Sequence, residues 1–361
     1  MIIFVCAMIK IVAFIADLYE KAGVDRETAE LHGVGLVEAS LRGVDSHGIM
    51  RTAAYFERYR KKAINVKPDI KVVAGEKAFV VMDADNASGF VASRYAMEHA
   101  IMLAREYHIA AVCVKNSNHF GAAALYAQMA VDAGMVGMAS TNVRPNITAP
   151  GAKGRVVGNN PFAIGIPTYD DYPFMLDMAL SVVAGGKLKM AIRKGEKIPL
   201  GWATDVEGNP TDDPKKGFDG YFLPVGGFKG LGIAYVIDML CGVMTGGAFS
   251  DHIKSMYAEP DDPSGTCHMF IAVDCDAIIG KEELRARIAE YRQYIRSIPV
   301  VGDAPPLSFP GEIEENCKRE RQKTVSRCRT VFTESWRHMR SAIKYRFLLK
   351  NEERILGLCC V

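Results

Sequence analysis

The spacing of apolar residues changes period along the chain, and each change marks a new element. Over residues 8–40 apolar positions recur at helical spacing, with a turn at Gly23 and with Asp25 placed to cap the helix that follows. The stretch "RGVDSHGIMRTAAYFERYRKK", residues 42–62, continues as an amphipathic helix. Asp45 and Ser46 are good N-cap residues, so its start is expected near His47. From "KPDIKVVAGEKAFVVMDADNASG" onward, short β-branched runs broken by Gly, Asn and Asp read as strands. The next stretch, through "GMASTNV", reads as helix, strand, loop, helix, strand. "RKGEKIPLGWATDVEGNPTDDPKKGFDGYFLPVGG" is dense in Gly, Pro and Asp and predicts an ordered excursion over the surface. "FKGLGIAYVIDMLCGVMTGGAF" returns to a buried helix, "HMFIAVDCDAI" to a strand, and "GKEELRARIAEYRQYIRSI" to an exposed amphipathic helix.

At 361 residues the chain exceeds what one hydrophobic core supports, so at least two cores are expected. A net charge of +2 gives no global field to draw in nucleic acid or acidic membranes, which leaves small molecules or copies of the chain as partners. Nine cysteines without a CxxC spacing argue against a disulfide framework or a structural zinc site and fit a reducing cytoplasm. The apolar opening "MIIFVCAMIKIVAFIADLYEKAGV" lacks a basic n-region, is interrupted by Lys10, and falls short of the roughly 20 residues of a membrane span. It reads as a buried amphipathic helix. Residues 316–361 form an atypical basic tail with four of the nine cysteines and little apolar periodicity. A solvated helical tail is one reading; a reading-frame slip that replaced the native C-terminus is the sharper one.

Candidate chemistry sits at two places. His47, Arg51 and Tyr55 follow at four-residue intervals and would share one stripe of a helix. An imidazole at the helix entry beside a guanidinium fork suits a substrate with a carboxylate and an adjacent oxygen that exchanges a proton. A capped helix with a surface Arg and a packed His is the plainer alternative. The second place is "KNSNHFGAAALYAQMA", where a strand ends in polar residues and His119 precedes an Ala-rich helix opened by glycine. Taken alone, His119 fits loop packing as well as catalysis. "GVGLVEA" and "GLGIAY" lack the third glycine and the preceding strand of a dinucleotide fingerprint, so a standard Rossmann site is not expected. Lys229, flanked by glycines at a helix start, would meet an anionic group or lie free in a turn, and Asp177 reads as a cap or a ligand contact.

Taken in order, "LVEASLRGVDSHGIMR", "NSNHFGAAALYA", "GNNPFAIGIPT", "LDMALSVVAGGK", "GGFKGLG" with "DMLCGVMTGG", and "FPGEIE" resemble the malate/L-lactate dehydrogenase family that lacks a Rossmann domain. Relatives in that family include sulfolactate, ureidoglycolate and diketogulonate oxidoreductases. The resemblance spans residues 12–315 and stops beyond Glu315. It implies an α+β fold: a helical, dimerising region built from residues 1–70 with 285–361, and a central cofactor-binding α/β domain over 71–284 with a mostly antiparallel sheet. It also implies a homodimer with the active site between subunits, and reversible hydride transfer between NAD(P)H and a 2-oxo acid of malate or L-lactate type. Carried over residue by residue, His47 and His119 are the proton-transfer candidates, and Ser46, Arg51 and Tyr55 the substrate contacts. Asp177, Met178, Ala179, Phe228, Lys229, Gly311 and Glu312 match cofactor-holding segments for NAD or NADP, and no metal is implied. Arg144, in "TNVRPNITAPGA", stands where relatives often carry small polar residues and would favour a 2′-phosphate. Two alternatives remain open at this point: a metal-dependent hydrolase or lyase using His47, His119 and Asp177, and an inactive oligomeric family member.

Overall fold

The structure, a computed structural model, describes residues 2–323, with side chains from residue 8 onward. Helices α1 (Ile2–Glu20), α2 (Arg26–Leu41) and α3 (Thr52–Arg60) form one layer. Gly23, at φ +89°, makes the turn between the first two, and Asp25 caps α2 by accepting from the Thr28 N–H. The apolar stripes of these helices close a core of Ile15, Tyr19, Leu36, Tyr55, Tyr59 and Ile64, into which Phe90 reaches from the next layer.

That layer is a seven-stranded sheet in the order β1 (Lys71–Glu76), β2 (Phe79–Asp83), β3 (Ile109–Ser117), β9 (Thr266–Asp274), β4 (Met135–Thr141), β5 (Phe162–Ile166), β6 (Phe174–Met178). Only β2 and β3 pair in parallel, through the crossover helix α4 (Gly89–Tyr107); the other five pairings are antiparallel. β9 enters late in the chain and lies between β3 and β4, antiparallel to both. Its residues alternate as the pleat demands. Phe270 and Ala272 face the core under α4 and α5 (Ala124–Asp132), while Cys267 and Met269 face the opposite core under α8 (Phe228–Cys241). Both faces of the sheet are therefore covered, as the near-continuous apolar runs of β3 and β9 require.

The Gly- and Pro-rich excursion carries short ordered pieces: α6 (Gly185–Lys194), β7 (Ala203–Thr204) paired with β8 (Tyr221–Phe222), and α7 (Pro214–Asp219) with Pro at its first turn. The chain then runs through α8 and β9 to α9 (Lys281–Ser297) and α10 (Glu312–Lys323).

Two expectations change. α8 is buried on one side only: Leu231, Ala234, Ile237 and Cys241 pack inward, whereas Phe228, Val236 and Met239, with Val243 and Met244 just after it, stand exposed. The stretch Phe228–Thr245 is long and apolar enough to cross a membrane by length and composition. Its Asp238, however, is buried and accepts from Asn142 Nδ2 at 3.0 Å, which ties it to the sheet. Second, α10 docks on α2 through Lys318 to Glu38 at 2.6 Å and a two-pronged Arg321 to Asp45 pair at 2.6 and 2.9 Å. The chain past Glu315 therefore contributes to the helical layer as far as residue 323; the rest of the basic tail, and the frame-slip reading with it, lies outside the described residues.

Candidate active site

The His47 segment is shaped by a contact that spacing does not reveal. Gly48 packs so tightly on α2 that a Cβ there would sit 2.1 Å from Ser40 Oγ and 3.0 Å from its backbone N. The chain turns in two short 3₁₀ pieces, Asp45–His47 and Ile49–Arg51, and the α-helix begins at Thr52 rather than near His47. Asp45 and Ser46 do not cap it: Asp45 binds Arg321, and the Ser46 hydroxyl bonds His47 Nδ1 at 3.0 Å. His47 is therefore not tuned by the end of an α-helix. Burial, followed by the Arg51 charge, pushes its pKa down to about 4.

His119 is positioned from the other side. It follows β3 on a loop against which α4 starts, and a Cβ at Gly89 would fall 2.3–2.5 Å from the Asn118 and His119 carbonyl atoms, so only glycine permits that approach. The two imidazoles meet face to face, with ring centroids 5.5 Å apart and planes 13° off parallel. Tyr55 OH bonds His119 Nδ1 at 2.5 Å, and the Gly121 N–H donates to the same nitrogen at 3.3 Å. A backbone N–H can only donate, so Nδ1 is an acceptor, Tyr55 is the donor, and the neutral ring carries its proton on Nε2. Burial, then the charges of His47 and Arg51, holds His119 well below the usual imidazole range. Both rings are neutral at pH 7.

Arg51 lies beside this pair, half-buried. Its Nε donates to the Ser46 carbonyl at 2.5 Å, and its guanidinium lies 5.3 Å from the ring centre of Tyr257. Among the described residues no carboxylate pairs with it, and burial lowers its pKa. Arg58, fully buried two turns further on, makes no ion pair among the described residues, although the Asp262 charge acts on it: Nη2 donates to Asn118 Oδ1 at 2.8 Å and to the Asp262 carbonyl at 3.0 Å. Two guanidiniums, with the Asp262 charge only partly offsetting Arg58, make the site electropositive.

The histidine rings open onto a cleft of about 270 Å³. Small residues Gly121 to Ala124 form one wall, apolar Val143, Pro161, Met175 and Met178 another, and Ser46, Asp177 and Ala179 also line it. Asp177 is at the end of β6, open to the cleft, and accepts from the Ala124 N–H at 3.2 Å. The protein packed around its carboxyl raises the pKa to about 6, against the pull of the Ala124 N–H and Arg42. An apolar slot with a carboxylate acceptor at its wall fits a flat aromatic ring bearing a carboxamide, and the volume suits one ring system rather than a whole dinucleotide.

Other carried-over residues fall at the edges. Arg51 and Tyr55 do not line the cleft but touch Ser46 and His119, which do. Phe228 and Lys229 begin α8 and are exposed; the nearby Val225 N–H bonds the Leu180 carbonyl, which sets that helix end beside the Asp177–Ala179 segment. Gly311 lies against Met175, but the Glu312 carboxylate is engaged by Arg296 at 2.6 Å and by the Phe309 N–H. Glu314 and Arg42, which lie in the quoted motifs but were given no role, also line the cleft. Arg144, expected to favour a 2′-phosphate, donates from Nη1 to both Glu259 oxygens at 2.6 and 2.7 Å. Among the described residues no three His, Cys, Asp or Glu side chains gather as metal ligands.

The likeness to known proteins extends over nearly all of this framework. The malate/L-lactate dehydrogenase family model matches residues 7–327, twelve residues beyond the expected end at Glu315. The malate dehydrogenase of Pyrococcus horikoshii is 38% identical over 296 residues, covering 80% of this chain and 81% of that protein. The L-sulfolactate dehydrogenase of Methanocaldococcus jannaschii is 38% identical over 309 residues, 85% of this chain and 88% of its own. The solved structure of the sulfolactate dehydrogenase from that organism superposes with a TM-score of 0.83 at 35% identity, over 92% of this chain and 96% of that one. A shared fold, shared order of motifs and coverage of both partners leave one assignment: the chain belongs to the malate/L-lactate dehydrogenase family and is an NAD(P)-dependent dehydrogenase of 2-hydroxy acids.

Proposed function

We propose that His119 exchanges the proton, Arg51 holds the carboxylate, and the Asp177 cleft receives the nicotinamide end of the cofactor, with a C3- or C4-sized 2-oxo acid as substrate. The observation that carries this reading is the half-buried Arg51 guanidinium, without a counter-ion among the described residues, standing beside an imidazole whose Nε2 bears the only proton of the ring. An unpaired buried cation is costly unless a ligand completes it. A carboxylate does so with two parallel N–H···O bonds.

The substrate's C2 oxygen then lies toward His119. Bound nicotinamide supplies the hydride to C2, or takes it in the reverse direction. In the reductive direction His119 gives its Nε2 proton to the C2 oxygen, and the Tyr55 hydroxyl offers its proton to Nδ1 so that the ring is not left as an anion. Arg51 and Arg58 counter the negative charge that develops on Tyr55, as their charges already oppose the rise that burial imposes on its pKa. His47, stacked on His119 and fixed by Ser46, orients the substrate oxygen from the other side. Asp177 would accept from the carboxamide, and the Gly121 to Ala124 wall would pack against the ring.

The engagement of Arg144 Nη1 by Glu259 favours NAD over a cofactor with an added phosphate. The exposed apolar ridge of Phe228, Val236, Met239, Val243 and Met244 supports a homodimer. Loss of NADH or NADPH absorbance on adding oxaloacetate, pyruvate or 3-sulfopyruvate tests the reading. Turnover with none of them would overturn it.

A further inference from the structure

Residues 254–264 form a closed loop beside the substrate side of the site. Its neck is the Lys254 N–H to Ser264 carbonyl bond at 2.9 Å, and inside it Ser255 Oγ accepts from the Tyr257 and Ala258 N–H groups at 3.2 and 3.1 Å. Four contacts fasten it to the body of the protein. Glu259 takes both bonds from Arg144, Asp261 pairs with Lys61, the Asp262 carbonyl accepts from Arg58, and the Ser264 N–H donates to Asn118 Oδ1 at 3.3 Å. Asn118 precedes His119, so the loop and the imidazole share an anchor. Glu259 joins the ends of the arrangement, because its Oε2 also accepts from the Ser255 N–H at 2.9 Å. At the tip Tyr257, 60% exposed, covers the guanidinium of Arg51.

We propose that Tyr257 is a substrate-specificity residue and that Arg144 and Glu259 are its positioning residues. The inference rests on Arg51 being the carboxylate clamp. Tyr257 occupies one face of that guanidinium and Ser46 its Nε, which leaves the edge with the two terminal nitrogens for the carboxylate. A bidentate pair places the substrate's C1 and C2 in the guanidinium plane. C2 is trigonal, so in the proposed pose its oxygen turns out of that plane toward His119 on one side and the C3 group turns toward the face that Tyr257 covers on the other. The width of the space for the C3 group is thus set by Tyr257, and the position of Tyr257 is set by the Arg144 and Glu259 pair. Arg144 acts on the substrate, through the loop, and not on the cofactor.

The test is steady-state kinetics at saturating cofactor with pyruvate, oxaloacetate and 3-sulfopyruvate, which differ only at C3, alongside titration of NADH and NADPH binding. Tyr257→Ala is expected to shift the ratio of kcat/KM for oxaloacetate over pyruvate about two- to tenfold toward the larger acid, and Tyr257→Phe, which keeps the ring, to shift it less. Arg144→Ala and Glu259→Gln each raise the KM for the 2-oxo acid about three- to tenfold while kcat stays within about twofold, and the exchange Arg144→Glu with Glu259→Arg brings KM back. Unchanged ratios in Tyr257→Ala overturn the proposal. So does an Arg144→Ala enzyme that keeps its 2-oxo acid KM and instead changes its preference between NADH and NADPH. If the unaltered protein reduces all three acids but Arg51→Met does so with the same KM, the clamp reading fails first and this one with it.

Discussion

Replacing Arg51 by methionine separates the cost of a half-buried cation from its use. The guanidinium is half-buried, and its compensation is one backbone carbonyl and one aromatic face, with no carboxylate among the described residues. Burying an ion without a partner costs several kcal/mol before compensation, and replacement by an apolar side chain of similar length commonly returns about 1–3 kcal/mol. With an unfolding entropy near 2.1 cal/mol/K per residue, a chain of 361 residues gains about 1.3 °C in Tm per kcal/mol, so Arg51→Met should melt about 1–4 °C higher than the unaltered protein. The same change removes two charge-assisted bonds to the substrate carboxylate, worth about 1.5–3 kcal/mol each, and kcat/KM for the 2-oxo acid should fall by about 10²- to 10⁴-fold. Malate at about 100 times its Kd should stabilise the unaltered protein by about 2.7 kcal/mol and the variant hardly at all. Differential scanning fluorimetry with and without malate, together with the absorbance assay, measures all three. A variant that melts lower, responds to malate and keeps its KM would refute the argument that Arg51 waits for a carboxylate.

Tyr55→Phe should lower kcat about 10- to 100-fold with little change in KM, since the hydroxyl acts on His119 Nδ1; a rise in KM alone would make Tyr55 a substrate contact instead. Asp177 carries a pKa of about 6, so NADH affinity, read by fluorescence titration, should weaken as pH falls through 6, and Asp177→Asn should be weaker and flat across that range. His32 and His268, both fully buried with pKa values of about 3, keep the folded protein from taking up protons that the unfolded chain binds near 6.5. Stability is therefore fully present above pH 6.5 and is lost below it, by about 2 kcal/mol per ring at pH 5, with Asp177 working weakly the other way because it is open to the cleft. Urea midpoints that do not fall between pH 7.5 and 5 would contradict this. Met239→Glu, on the exposed ridge of α8, should convert a dimer to a monomer in light scattering without loss of folding.

Some of this was legible in the sequence because it is local. Period and capping gave α2 its start at Asp25, and the alternation in "HMFIAVD" made β9 a strand. The matching contexts of His47 and His119 marked them as a pair, and the structure stacks them. The helix start near His47 failed for a definable reason. Asp45 and Ser46 have the chemistry of caps, but Arg321 and His47 compete for their side chains, and the contact between Gly48 and Ser40 forces an extended residue where the helix would begin. Composition could not anticipate either, since both depend on a neighbour from another element.

What holds the candidate site together is less local still. Arg58 reaches Asn118 across 60 residues and the Asp262 carbonyl across 204, and Arg144 reaches Glu259 across 115. No periodicity encodes such separations, so from the sequence Arg144 looked like a lone cation suited to a phosphate. Its pairing with Glu259 adds a second role: Nη1 donates to both carboxylate oxygens, and breaking that pair would release the loop that holds Tyr257 over Arg51. A cofactor phosphate that drew Nη1 away from Glu259 would thus loosen the loop over the substrate clamp, whereas one met by the remaining guanidinium nitrogens would leave the loop in place.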